Sequence, residues 1–231
     1  MKKIILKTGL TCLSLLIFNA FIQAQVTEKR NIENFSRIDV SGGIDLVIKQ
    51  GAQTSVIAEA KDDQALKSII TKVESNTLKI YSREKTFKPG NRKVYVTFEE
   101  LEGIKATGGS DVMTESKIEV NKLELQAHGG TDLKMVLSAD AIDCTITGGS
   151  DADLSGKVRI FSAIASGGSD IRAKELDSEI CNLEISGGSD ATVMVSRELN
   201  VQASGGSDVF YHGNPNIKNV NTSGGSDLIQ R

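Results

Sequence analysis

The tetrapeptide Gly-Gly-Ser-Asp, or a close variant, begins at Gly108, Gly129, Gly148, Gly167, Gly187, Gly205 and Gly224. Successive copies lie 21, 19, 19, 20, 18 and 19 residues apart, and a degenerate copy, Gly-Gly-Ile-Asp, begins at Gly42. A period near 19 is too short for paired-helix repeats and suits one coil of a β-solenoid. The pattern around the motif points the same way. Two residues before each first glycine stand Ala106, Ala127, Ile146, Ala165, Ile185, Ala203 and Thr222. Directly after each aspartate stand Val112, Leu133, Ala152, Ile171, Ala191, Val209 and Leu228. Apolar residues at alternate positions on both sides are the period-two signal of half-buried strands.

The predicted fold is therefore all-β: a single-stranded, right-handed parallel β-helix with coils of about 19 residues, since crossovers between parallel strands are nearly always right-handed. If the strand runs on through the motif, the alternation turns the first Gly and the Ser inward, and the second Gly and the Asp outward. The core is expected to be thin and built from small aliphatics, in keeping with an aromatic content of 4% and no Trp. Cys144 and Cys181 lie four and six residues before their glycines, so both face inward, two coils apart. That separation is roughly 10 Å at a rung spacing of about 4.8 Å. A disulfide needs Cα atoms within about 7 Å, so the two thiols are expected to stay reduced.

Residues 25–100 carry strand patterns without the regular period: Ile38–Val40, Leu46–Ile48, Val56–Ala58, Leu78–Ile80 and Val94–Val96. Asp62 is positioned to N-cap one short helix through Leu66 and Ile69. Ser75-Asn76 reads as a hairpin turn and Pro89-Gly90-Asn91 as a loop. One domain is expected over 30–231, with irregular coils to about residue 100 capping a regular stack over 101–231.

The first 24 residues read as a secretory signal peptide. Lys2, Lys3 and Lys7 precede a mostly apolar run from Leu10 to Ile22, and Ala24 offers a small residue before the cleavage point. The apolar run is shorter than the roughly 20 residues a membrane span needs, and no later stretch reaches that length. Cleavage removes three lysines and no acid, so 27 basic residues fall to 24 against 30 acidic ones, a net charge of −6. An acidic exported chain is expected to bind neither nucleic acid nor an anionic membrane.

The run Phe35-Ser36-Arg37-Ile38-Asp39-Val40-Ser41-Gly42-Gly43-Ile44-Asp45-Leu46-Val47-Ile48 resembles the opening of the head GIN domain family, exported bacterial proteins named as auto-transporter adhesins. So do Leu78-Lys79-Ile80, Val94-Tyr95-Val96-Thr97-Phe98 and the stretch from Leu101 to Asp111. The resemblance implies a β-helical exported domain with an adhesive role. The chain stops at Arg231, four residues after Asp227, so no C-terminal translocator barrel is expected.

Two outward columns are the candidate sites. One is acidic: Asp111, Asp132, Asp151, Asp170, Asp190, Asp208 and Asp227. Carboxylates stacked about 4.8 Å apart repel by roughly 0.9 kcal/mol per neighbouring pair in water. Either each Asp accepts backbone N–H bonds from its own Gly-Ser turn, or calcium ions bridge neighbouring carboxylates. The other column carries hydroxyls just before each Gly-Gly, notably Thr147, Ser166, Ser186 and Ser204, as ligand-binding candidates. The two histidines, His128 and His212 (the latter expected in a loop after Phe210-Tyr211), form no recurring base beside the serines, so no catalytic residue is assigned. Apart from calcium, no cofactor is implied. The leading expectation is a non-enzymatic protein that binds surface glycan or protein through a flat repetitive face. The alternatives are an envelope protein without a dedicated ligand and, on analogy of fold alone, a polysaccharide-active enzyme. The open strand edge of the last coil invites pairing with another copy.

Overall fold

A computed structural model of the chain describes residues 25–83 and 92–231. The signal-peptide segment and the Pro89-Gly90-Asn91 loop lie outside the described residues. The irregular third contains β1 (Val26–Arg30), β2 (Arg37–Ser41), β3 (Asp45–Gln50), β4 (Ser55–Ala60), α1 (Asp63–Ser68), β5 (Ile69–Glu74), β6 (Thr77–Ser82) and β7 (Arg92–Phe98). The regular part begins with β8 (Gly103–Thr107), β9 (Val112–Thr114), β10 (Ile118–His128), β11 (Asp132–Thr147) and β12 (Asp151–Ser166). It continues through β13 (Ile171–Ser186), β14 (Ala191–Ser204), β15 (Val209–His212), β16 (Asn216–Thr222) and β17 (Leu228–Gln230). Stacked parallel coils of about 19 residues make about seven turns, a β-solenoid.

Each coil from β11 to β14 is one long strand that bends around the core. In β11 the buried residues are Leu133, Met135 and Leu137, then Ile142, Cys144 and Ile146. The parity switches at 138–141, which form a corner between two segments. Parallel pairing keeps equivalent residues in register from coil to coil: Cys144 pairs with Ala163, and Ala163 with Leu183. Small aliphatics fill the inside, with Phe98 and Phe161 the largest fully buried side chains. Cys144 and Cys181 are buried free thiols, as the column arithmetic requires. Burial pushes the Cys144 thiol up to about 12 and raises that of Cys181 as well.

The turn differs from the sequence expectation. Both glycines of each pair adopt left-handed φ values, between 66° and 82°, so the strand breaks at the motif instead of running through it. In every regular copy the first Gly is exposed where the continuous-strand reading turned it inward. Its need for glycine comes from the neighbouring coil: a Cβ on Gly187 would lie 3.1 Å from the Gly167 nitrogen, and one on Gly224 3.0 Å from that of Gly205. At the second glycines Gly149, Gly168 and Gly188 a Cβ would meet nothing within 4 Å, so only the left-handed backbone demands glycine there.

The N-terminal coils do not stack in chain order. β2 lies between β6 and β8, and β3 between β7 and β9, so the first coil is sandwiched between later ones. Antiparallel strands close that end: β4 pairs with β7 and β1 with β4, while β5 pairs with β6. The β5–β6 hairpin turns at Ser75 and Asn76, both with positive φ. Asp62 caps α1 by accepting from Ala65 N at 2.7 Å, an interaction worth about 1 kcal/mol. Ile69, expected inside the helix, instead opens β5. At the other end, β16 and β17 pair on one side only, with β14 and β15, and Ile217 and Val220 are exposed.

Candidate functional site

At the Gly-Gly-Ser-Asp turns side-chain oxygens receive most of the Ser and Asp backbone N–H groups, while Asp151 N donates to the Thr131 carbonyl at 3.2 Å. The inward residues Ser110, Thr131, Ser150, Ser169, Ser189 and Ser207 are fully buried (0% exposed). Each hydroxyl from Ser150 onward accepts from the backbone N–H of the coil before it. Ser150 Oγ receives Thr131 N at 3.1 Å, Ser169 Oγ receives Ser150 N at 3.1 Å, and Ser189 Oγ receives Ser169 N at 2.9 Å. Ser207 and Ser226 continue the ladder at 3.3 and 2.9 Å.

The aspartates form a second ladder running the other way. Asp111 Oδ1 accepts from Asp132 N at 3.1 Å, Asp151 from Asp170 N at 3.1 Å, and Asp170 from Asp190 N at 3.3 Å. Asp190 accepts from Asp208 N at 2.9 Å and Asp208 from Asp227 N at 3.1 Å. The donor is thus the next coil's aspartate, not the residue's own turn. In parallel pairing, successive N–H groups point to opposite neighbours, so the Ser N–H reaches one coil and the Asp N–H the other.

This geometry offsets the repulsion along the column. Arg172 adds a positive charge, with its guanidinium 2.9 Å from Asp151, 3.1 Å from Asp170 and 3.7 Å from Asp153. Asp132 has no such partner. Burial, and then repulsion from Asp111 and Asp151, raise its carboxyl above the ordinary value. Among the described residues no cluster of three or more His, Cys, Asp or Glu side chains is arranged to hold a metal ion.

The hydroxyl column lies on the outer surface of the other segment. Thr147, Ser166 and Ser186 are half-buried and Ser204 is exposed, in register along β11 to β14. His128 joins the same column, its Nδ1 2.7 Å from Thr147 Oγ1. His212 ends strand β15 instead of lying in a loop.

Beside this column runs a feature the sequence reading missed. Five residues before the last five Gly-Gly pairs stand Asp143, Ser162, Asn182, Asn200 and Asn219. They form a side-chain ladder: Asn182 Nδ2 donates to Ser162 Oγ at 3.3 Å, Asn200 Nδ2 to Asn182 Oδ1 at 2.9 Å, and Asn219 Nδ2 to Asn200 Oδ1 at 2.9 Å. The recurrence of Asn at one offset in three consecutive repeats was the available signal. The ladder floors a shallow depression of about 560 Å³ spanning the coils from Asp143 to Asn219. Ile164, 44% exposed, stands in it.

A family model described as "Putative auto-transporter adhesin, head GIN domain" matches residues 34–215. The chain belongs to the head GIN domain family. Solved structures share this fold. A protein of Bacteroides fragilis described as a putative adhesin is 21% identical, covers 90% of this chain and 98% of its own, and gives a TM-score of 0.82. A putative adhesin of Parabacteroides merdae is 18% identical over 90% of this chain and 96% of its own, with a TM-score of 0.73. A protein of Parabacteroides distasonis described as a putative lipid binding protein is also 18% identical, with the same coverage and a TM-score of 0.70. At these identities the likeness carries the head GIN fold alone. No curated protein matches the sequence.

Proposed function

We propose that this head GIN protein is an exported, non-enzymatic adhesin that binds a surface glycan or protein through the outer face bearing Thr147, Ser166, Ser186 and Ser204. The observation that carries the reading is register: β11 to β14 present equivalent side chains one coil apart over an open face. Such a face suits weak, repeated contacts whose strength comes from multivalency. The family name and the adhesin names of two similar structures support an adhesive role. The signal-peptide pattern of residues 1–24 supports export. The one-sided pairing of β16 and β17 supports self-association as a further source of valency.

The test is retention of the protein on immobilised surface glycans and matrix proteins, compared with a Ser166→Arg/Ser186→Arg variant that obstructs the face. Retention lost in the variant upholds the reading. Equal retention of both proteins, or none of either, overturns it.

A further inference from the structure

We infer that the depression floored by Asn182, Asn200 and Asn219 seats an uncharged glycan chain lying along the stack. The inference rests on the adhesive reading above and narrows it to one ligand chemistry and one set of residues.

An amide carries two donor hydrogens and an acceptor oxygen with two lone pairs. Asn182 spends one hydrogen on Ser162 and one lone pair on Asn200. Its second hydrogen and second lone pair have no partner among the described hydrogen bonds, and Asn219 has donated only one hydrogen, to Asn200, whereas Asn200 spends both of its hydrogens, on Asn182 and on Glu198 Oε1 at 3.1 Å, and keeps one lone pair. Each rung holds its neighbour's amide plane in place, so the unused groups are already aimed before a ligand arrives. That lowers the ordering cost of binding. An unused lone pair recurs on each of the three amides at the coil spacing of about 4.8 Å, and unused hydrogens at every second coil, on Asn182 and Asn219; such a row of acceptors interleaved with donors calls for a row of hydroxyls.

Among the described residues the depression is lined by two carboxylates, Asp143 and Glu184, and by no basic side chain. Asp143 is already paired with Lys122 Nζ at 2.8 Å. An anionic polymer finds nothing to neutralise it here and a carboxylate to repel it. A basic partner finds one carboxylate that no described ion pair engages, Glu184.

Protein interfaces concentrate their binding energy in aromatic or Arg anchors set in dry pockets. This depression is open, and its lining contains no aromatic side chain. Its exposed apolar group is Ile164. A flat row of amides with a single aliphatic contact suits a sugar ring, which presents hydroxyls at its edge and C–H groups on its face.

The experiment is affinity electrophoresis of the protein through gels containing dextran, mannan or laminarin as neutral probes, and polygalacturonate or heparin as acidic ones. Asn182→Asp and Asn200→Asp keep side-chain shape but remove donors and add charge. Ile164→Lys blocks the depression without touching the ladder, and thermal melts confirm that each variant folds. Retardation by a neutral polysaccharide, weakened about tenfold or more in all three variants, is the expected result. Retardation that the folded variants leave unchanged overturns this siting. Retardation by acidic polymers alone, or retention on proteins alone, overturns the ligand chemistry while leaving the adhesive reading standing. Absence of retardation together with absence of any retention overturns both.

Discussion

Replacing Ser169 by alanine tests whether the buried hydroxyl ladder clamps the coils together. Ser169 is fully buried (0% exposed), and its Oγ receives Ser150 N at 3.1 Å. Removing that oxygen strands a backbone N–H where water does not reach. Leaving a buried donor unsatisfied costs about 1–3 kcal/mol, so about 2 kcal/mol is expected. In a domain of this size 1 kcal/mol moves the melting midpoint by about 2–4 °C, which gives a fall of about 4–8 °C. Asp170 is the matched comparison. Its Oδ1 also accepts a backbone N–H, from Asp190 at 3.3 Å, but its side chain is 42% exposed. Water can replace that acceptor, and the repulsion relieved by losing the carboxylate is set against the exposed ion pair lost with Arg172, so Asp170→Ala is expected to cost about 0–1 kcal/mol. Ser169→Thr retains the oxygen, but Thr131, buried in the same column, turns its hydroxyl to His128 O at 3.4 Å, so only part of the loss should be recovered. The assay is thermal unfolding followed by circular dichroism, run in EDTA and again in millimolar calcium. A cation held by the aspartates must raise the wild-type midpoint by mass action. With each bonded Oδ1 already committed to a backbone N–H, the two curves are expected to coincide. The reasoning is refuted if Ser169→Ala melts no lower than Asp170→Ala.

Gly156 has φ of 114°, and a Cβ there would sit 2.0 Å from the Leu137 carbonyl oxygen. Gly156→Ala is expected to cost about 3 kcal/mol or more in denaturant titration, against about 1–2 kcal/mol for Gly168→Ala, where only the left-handed backbone is strained. The raised carboxyl of Asp132 makes its ionised form a burden on the fold, so stability at this site falls as pH rises from the unfolded value near 3.8 through the raised folded one. Asp132→Asn should therefore stabilise the protein at pH 7 by roughly 0.5 kcal/mol, a gain that disappears below pH 4 in melts across that range. Cys144 and Cys181 are expected to resist a thiol reagent at pH 8 in the native state and to react fully in guanidinium, without forming a disulfide in air.

Strand positions were legible because burial on one side of a strand writes a period of two into the sequence, and Leu46–Ile48, Leu78–Ile80 and Val94–Val96 all fall on strands β3, β6 and β7. The form of the turn was not legible from that period. A continuous strand and a turn of two left-handed glycines both bring the Ser back inward after the same number of residues. Alternation is blind to the difference, which lies in φ alone. Coil order at the N-terminal end was hidden for another reason. Nothing local to β2 records that its neighbours are β6 and β8, because pairing partners are chosen by long-range packing.

The same limit separates the two halves of the site. The motif is constrained by its own coil and both neighbours: a Cβ at Gly187 crowds the Gly167 nitrogen at 3.1 Å, and a residue without an oxygen at the inward Ser169 strands a donor. Repetition there is a packing requirement and carries no information about a ligand. The offset of Asn182, Asn200 and Asn219 is under weaker pressure. Ser162 and Asp143 hold the equivalent place in earlier coils without disturbing the register. A side chain that the stack does not demand, repeated in three consecutive coils and turned toward solvent, is a better marker of binding than the conspicuous tetrapeptide. In a solenoid the strongest repeat reports how coils are held, and the search for a ligand belongs at outward offsets where repetition is optional.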